Sequence, residues 1–127
     1  MTLARLGLPL RGVEVIDGDT LKVTLELHEY IRVLGIDTPE FRQAEQREAA
    51  IVVTQAVKKW MEEQADVAFI PVDYDKYGQR IVCVVKGDKG DLASFLLEQG
   101  LAQPYDGKKK AAWTAKHLKA ICDKQDA

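Results

Sequence analysis

Residues 13–36 read VEVIDGDTLKVTLELHEYIRVLGI, and their apolar and polar side chains alternate with a period close to two. This alternation, with its many β-branched residues, is typical of β-strands that bury one face. Gly18 interrupts the first strand, and the second strand is expected to reverse at His28 and Glu29. The stretch therefore predicts three consecutive strands joined by short turns.

Beyond this stretch, between residues 44 and 64, the apolar spacing changes to that of a helix. The residues that recur every three or four positions are Ala49, Val53, Ala56, Val57, Trp60 and Met61. Residues 67–72 and 80–85 predict a hairpin, residues 91–99 a short helix, and residues 109–124 a final helix. This element order predicts a mainly β, α+β fold: a small five-stranded OB-fold barrel with about three α-helices.

Length and composition limit the class of protein. We expect residues 1–127 to form a single domain, with residues 1–11 as an extended or flexible N-terminal arm. No apolar run approaches the roughly 20 residues that span a bilayer, so no membrane association is expected. The N-terminal residues lack a signal-peptide core, which predicts a cytoplasmic protein, or a secreted one if a leader peptide has been removed.

The cysteines and the net charge give less specific information about function. Cys83 and Cys122 form no CxxC pair, so buried structural thiols are expected instead of a zinc site or a disulfide. A net charge of −2 is not typical of a nucleic-acid binder. However, residues 104–127 carry six basic and three acidic side chains. The lysines at 108–110 could extend a phosphate track or form a solvated surface.

Three polar clusters follow predicted strands: DGDT at residues 17–20, DTPE at residues 37–40 and DKYGQR at residues 75–80. Each alone is typical of a turn, because Asp and Gly favour turn conformations. In a small barrel, however, strand ends can converge on one rim. Asp19 and Asp37 would there offer hard oxygen donors, which suit Ca²⁺ or Mg²⁺.

Two further residues suit such a site. Glu40 could lie beside the ion and accept a proton from water. Arg32 is a cation in a largely apolar strand, and a buried unpaired charge is costly. Its partner is either a local carboxylate or a substrate phosphate, and the sequence leaves both open.

The motifs VIDGDT, IRVLGIDTPE, DKYG and LLEQGLA resemble, in this order and spacing, those of the staphylococcal nuclease (thermonuclease-like) family. The resemblance implies an OB-fold enzyme that hydrolyses phosphodiester bonds in DNA and RNA with Ca²⁺. It implies that Asp19 and Asp37 bind the ion through their carboxylates, and Thr38 through its backbone carbonyl. It further implies Glu40 as the general base and Arg32 as the arginine that binds the scissile phosphate.

The resemblance also implies substrate contacts. Lys76 and Tyr77 correspond to groups that contact a phosphate, and Tyr105 lies near a base-stacking tyrosine. Gln79 stands where the family has a second catalytic arginine, and Arg80 follows one residue later. Successive strand side chains face opposite ways, so Arg80 reaches the phosphate only through a register slip or a bulge. Gln79 could instead donate a neutral hydrogen bond to a phosphoryl oxygen.

The sequence thus predicts a Ca²⁺-dependent nuclease that acts on DNA or RNA as a monomer. The alternative is a catalytically weakened or inactive module of the same fold that binds nucleic acid or a protein partner. A third possibility is a barrel whose acidic residues are paired internally and bind no ligand.

Overall fold

A computed structural model describes residues 10–25, 29–74 and 80–124 of the chain. The strands are β1 (Leu10–Asp17), β2 (Thr20–Leu25), β3 (Ile31–Val33), β4 (Ile36–Asp37), β5 (Val67–Tyr74), β6 (Ile81–Gly87), β7 (Gly90–Asp91) and β8 (Gln103–Pro104). The helices are α1 (Arg47–Glu63), preceded by a 3₁₀ turn at Ala44–Gln46, α2 (Leu92–Glu98) and α3 (Ala115–Asp123). The predicted α+β class with three α-helices is confirmed.

Some sequence predictions fall outside the described residues. These include the substrate contacts expected of Lys76, Tyr77 and Gln79 and most of the predicted N-terminal arm. Leu10 and Arg11, the last two residues of that arm, belong to β1.

The strands of the described residues form three sheets and no closed barrel. β1 and β2 make an antiparallel hairpin in which Asp17 pairs with Thr20, so the turn predicted at Gly18 is confirmed. β6 lies between β3 and β5 and also pairs with β7, while β4 pairs with β8. The predicted hairpin of β5 and β6 is likewise antiparallel and is confirmed.

The pairing of β3 differs from the predicted meander. Ile31 and Val33 pair in parallel with Ile81 and Cys83 of β6, and no ladder joins β3 to β2 in the described part of the chain. The side chains of Ile31 and Val33 pack against the core. The alternation of residues 13–36 therefore predicted strands in this region, but not the turn at residues 34–35 that divides the third strand into β3 and β4. It also did not predict the partner of β3, because periodicity determines which face is apolar and not which edge pairs.

The hydrophobic core lies between the three helices and the sheet of β6. Its buried residues are Ile36, Ala49, Val52, Val53, Trp60, Val85, Leu92, Leu96, Leu101, Ala102, Leu118 and Ile121. The apolar face predicted for α1 is confirmed through Ala49, Val53 and Trp60. Both thiols are free, with Cys83 buried in β6 and Cys122 packed against the core, as expected of structural cysteines.

Local signals define the helix ends. The Asp91 carboxylate accepts a hydrogen bond from the Ser94 backbone N–H and caps α2, and Gly100 has a φ of 71° beyond its end. The prediction that the final helix begins at residue 109 is wrong. Thr114 is the N-cap of α3, because its hydroxyl accepts from the His117 backbone N–H. Residues 105–113 consequently form a loop after β8.

The β1–β2 hairpin leaves apolar side chains exposed on both strands, among them Val15 at 67% and Leu21 at 56%. Asp19 lies in the turn of this hairpin. No helix of the described residues has the length and apolar character needed to cross a membrane.

Candidate active site

Asp37 is the buried carboxylate around which the candidate site is built. Its residue is 4% exposed, and Oδ2 accepts hydrogen bonds from Trp113 Nε1 at 3.0 Å and Gln103 Nε2 at 3.1 Å. The β4–β8 ladder pairs Asp37 with Gln103 directly, so the backbone fixes one of these donors. Gln103 Nε2 also donates to the Ala111 carbonyl at 2.7 Å, which ties down the loop that carries Trp113. The fold thereby orients the Asp37 carboxylate through neutral donors.

Glu40 lies three residues beyond Asp37 with its side chain 31% exposed. Its backbone N–H donates to Gln46 Oε1 at 2.9 Å, which holds the segment against the start of α1. Lys110 Nζ donates to Glu40 Oε1 at 3.1 Å, and Arg42 Nε lies 3.4 Å from Oε2. The hydrogen bond from Lys110 lowers the pKa of Glu40, the charges of Lys110 and Arg42 lower it further, and partial burial opposes the shift without cancelling it.

Lys110 joins the two acidic residues. Its ammonium lies 3.4 Å from Asp37 Oδ1 and 3.1 Å from Glu40 Oε1. The same ammonium lies 5.8 Å from the centre of the Tyr105 ring. One oxygen of each carboxylate therefore points at a single position, and a positive charge occupies it.

Arg32 also lies near the Tyr105 ring. Its guanidinium carbon is 5.0 Å from the ring centre, a cation–π distance, and its Nη2 donates to the Ile36 carbonyl at 3.3 Å. No carboxylate of the described residues forms an ion pair with Arg32. The sequence left two partners open for Arg32, a local carboxylate and a substrate phosphate. The described residues provide no such carboxylate.

Two clefts meet at Arg32. One, of about 370 Å³, is also lined by Tyr74 of β5 and by Tyr105. The other, of about 300 Å³, is also lined by Thr38 and Arg80. Arg32 thus lines one cleft together with Arg80 and the other together with Tyr105.

Asp19 is not brought to this cluster. It is exposed, its backbone N–H donates to Asp17 Oδ1 at 3.2 Å, and its Oδ1 accepts from the Thr20 hydroxyl at 3.2 Å. No group of three or more acidic, histidine or cysteine side chains among the described residues could hold a metal ion. Asp37 Oδ1 and Glu40 Oε1 do have the hard-oxygen chemistry of a Ca²⁺ or Mg²⁺ site. Asp37 Oδ1 therefore suits a divalent cation as a direct ligand, and Glu40 Oε1 lies beside the same position, which the Lys110 ammonium occupies.

The family model for staphylococcal nuclease homologues matches residues 30–126. The chain belongs to the staphylococcal nuclease homologue family. Comparison with the curated proteins gives no match. The matched region includes Arg32, Asp37, Glu40 and Arg80 and begins after Asp19. Membership in the nuclease homologue family confirms the resemblance seen in the motifs and the OB-fold class.

Three residues around Asp37 were not recognised from the sequence of this nuclease homologue. Trp113 packs against the hydrophobic core, and its indole N–H also donates to Asp37. Gln103 was given no role, and Lys110 was expected to extend a phosphate track or be solvated. The sequence offered no signal for these contacts, because their partners are 66 to 76 positions away.

Proposed function

We propose that this chain is a nuclease that hydrolyses phosphodiester bonds in DNA or RNA, with Ca²⁺ as its cofactor. One observation supports the proposal above the others. Arg32, Tyr105, Lys110, Asp37 and Glu40 form one continuous cluster, in which Tyr105 contacts both cations and Lys110 contacts both carboxylates. An arginine suited to binding phosphate thus lies close to the carboxylates proposed as metal ligand and general base, which supports phosphodiester hydrolysis.

The roles follow from the chemistry of the side chains. The planar guanidinium of Arg32 can make two charge-assisted hydrogen bonds to phosphoryl oxygens and stabilise the charge that develops there. Glu40 accepts the proton of the attacking water. Asp37 and the carbonyl of Thr38 would hold Ca²⁺, with Asp19 as the further ligand that the resemblance implies. When bound, the ion supplies positive charge that neutralises the phosphodiester.

The remaining substrate contacts are assigned by resemblance. Lys76 and Tyr77 contact a phosphate of the bound strand, and Tyr105 stacks on a base. Arg80 lines the same cleft as Arg32, one position after the place where the resemblance puts the second catalytic arginine. Gln79 donates a neutral hydrogen bond to the same phosphate. We further propose that the chain acts as a monomer.

Cleavage of nucleic acid is the direct test. We expect denatured DNA and RNA to be cut to short fragments when the protein is incubated with Ca²⁺. A chelator should stop the reaction, and added Ca²⁺ should restore it. The products are followed by gel electrophoresis over a range of pH. A protein that cuts neither substrate at any pH with Ca²⁺ present would contradict the proposal.

A second candidate function is suggested by Gln79. An inactive module of the same fold would bind nucleic acid or a protein partner without turnover, and its binding to nucleic acid would weaken steeply with added salt. A neutral amide at position 79 stabilises a developing negative charge less than a guanidinium does. Position 79 therefore decides between a full and a weakened catalyst.

Restoring the arginine distinguishes the two candidates. We expect Gln79→Arg to raise kcat by roughly tenfold to a hundredfold, because a second fork would bind the phosphoryl oxygens in the transition state. Gln79→Lys is the matched control, since it adds the charge without the planar fork and should gain less. The measurement is kcat on one defined oligonucleotide. Equal kcat values for wild type and Gln79→Arg would instead indicate that Arg80 already fills this role.

A further inference from the structure

The position between Asp37 and Glu40 is occupied by the chain's own cation. Lys110 Nζ lies within 3.4 Å of Asp37 Oδ1 and 3.1 Å of Glu40 Oε1. Ca²⁺ binds carboxylate oxygens at about 2.3–2.6 Å, so an ion between these oxygens would lie against the ammonium. Two positive charges at such a distance repel strongly, and the two cations therefore exclude each other.

The two carboxylates and the lysine are held very differently. Asp37 is buried in a strand, and two neutral donors fix its Oδ2. Lys110 belongs to the loop of residues 105–113, and its side chain is 41% exposed. Water can therefore solvate the ammonium when it leaves, whereas the carboxylates remain in place.

The ammonium is also not needed to orient Asp37. Trp113 and Gln103 already satisfy Oδ2, and Lys110 contacts the other oxygen. Glu40 has a second cation nearby, Arg42, at 3.4 Å.

We propose that Lys110 is a resident counter-cation that competes with the divalent ion for the position beside the Asp37 and Glu40 carboxylates. The inference rests on the proposed function only in taking the ion to be Ca²⁺. Lys110 leaves both carboxylates when the ion binds, and the free energy needed to release it weakens the apparent metal affinity. Lys110 thereby sets the Ca²⁺ concentration at which the site is filled.

The first test compares Ca²⁺ affinities of full-length variants by calorimetry. We expect Lys110→Met to bind Ca²⁺ about tenfold more tightly than wild type, because no internal cation has to be displaced. Lys109→Met is the matched control, since it removes an exposed neighbouring lysine of the same run and should leave the affinity unchanged. Tb³⁺, a luminescent substitute for Ca²⁺, gives an independent signal through the nearby Trp113 indole. Equal or weaker binding by Lys110→Met, or no binding by any form, would overturn the inference.

The second test uses the wild-type protein and needs no variant to fold. Acylation of lysine amines, read by mass spectrometry, should rise several-fold at Lys110 when Ca²⁺ saturates the protein, with no change at Lys109. Unchanged acylation of Lys110 at saturating Ca²⁺ would refute the displacement of Lys110 by the ion. Neither test requires cleavage of nucleic acid, so the two proposals can fail separately. A protein that exchanges Lys110 but cuts no substrate would refute only the proposed function.

Discussion

Glu40→Gln is expected to lower kcat for nucleic-acid cleavage by about 10²–10⁴-fold, because the amide cannot accept the proton of the attacking water. The substitution keeps the size and shape of the side chain. The partly exposed ion pairs of Glu40 contribute little to stability, so the fold should be retained. The measurement is kcat under saturating substrate and Ca²⁺, with circular dichroism to verify folding.

The matched control for this change is Glu45→Gln. Glu45 is an exposed carboxylate five positions further along, in the 3₁₀ turn before α1, and the chemical change is identical. We expect its kcat to stay within about twofold of wild type, as is usual for surface positions away from a site. If Glu40→Gln were no slower than Glu45→Gln, some other group would be the base.

The contacts of Glu40 explain how the resting site could be restrained. A general base works best when its pKa lies near the operating pH. The hydrogen bond from Lys110 lowers the pKa of Glu40, and partial burial alone would raise it. Departure of Lys110 would remove its hydrogen bond from Glu40, which leaves that oxygen free to accept a proton, at the same time as it frees the position beside Asp37. Both effects follow from the movement of a single side chain.

The sequence predicted the elements well and their long-range contacts poorly. Helical spacing identified α1, and Asp91 and Gly100 identified the ends of α2, because these signals act within a few residues. The pairing of β3 with β6 and the start of α3 at Ala115 were not predicted. A lysine run is compatible with helix, so only the Thr114 cap shows where the loop ends.

The same distinction holds for the candidate site. Asp37, Glu40 and Arg32 belong to one short motif, and the sequence could group them by spacing alone. Lys110 contacts Glu40 across 70 positions, and Trp113 contacts Asp37 across 76. Only the fold brings the loop after β8 against the end of β4. The motif therefore indicated the chemistry of the site. The structure was needed to identify Gln103, Trp113 and Lys110, which orient and neutralise its carboxylates.

Asp37→Ala is expected to lower the free energy of unfolding by about 2–4 kcal/mol and to abolish Ca²⁺ binding at the site. The loss of stability arises because Trp113 Nε1 loses its acceptor and Gln103 Nε2 loses one of its two acceptors. A buried donor without a partner costs more than the bond itself contributed. Urea unfolding followed by tryptophan fluorescence measures the change.

Asp37→Asn separates the structural role of this residue from its chemical role. An asparagine oxygen in place of Oδ2 can still accept from Trp113 and Gln103, so stability should fall by no more than about 1 kcal/mol. Its amide group would face Lys110 without a charge to bind it or Ca²⁺, so metal binding should be lost as fully as in Asp37→Ala. If the two variants were equally destabilised, the negative charge and not the acceptor oxygen would hold β4, β8 and the Trp113 loop together.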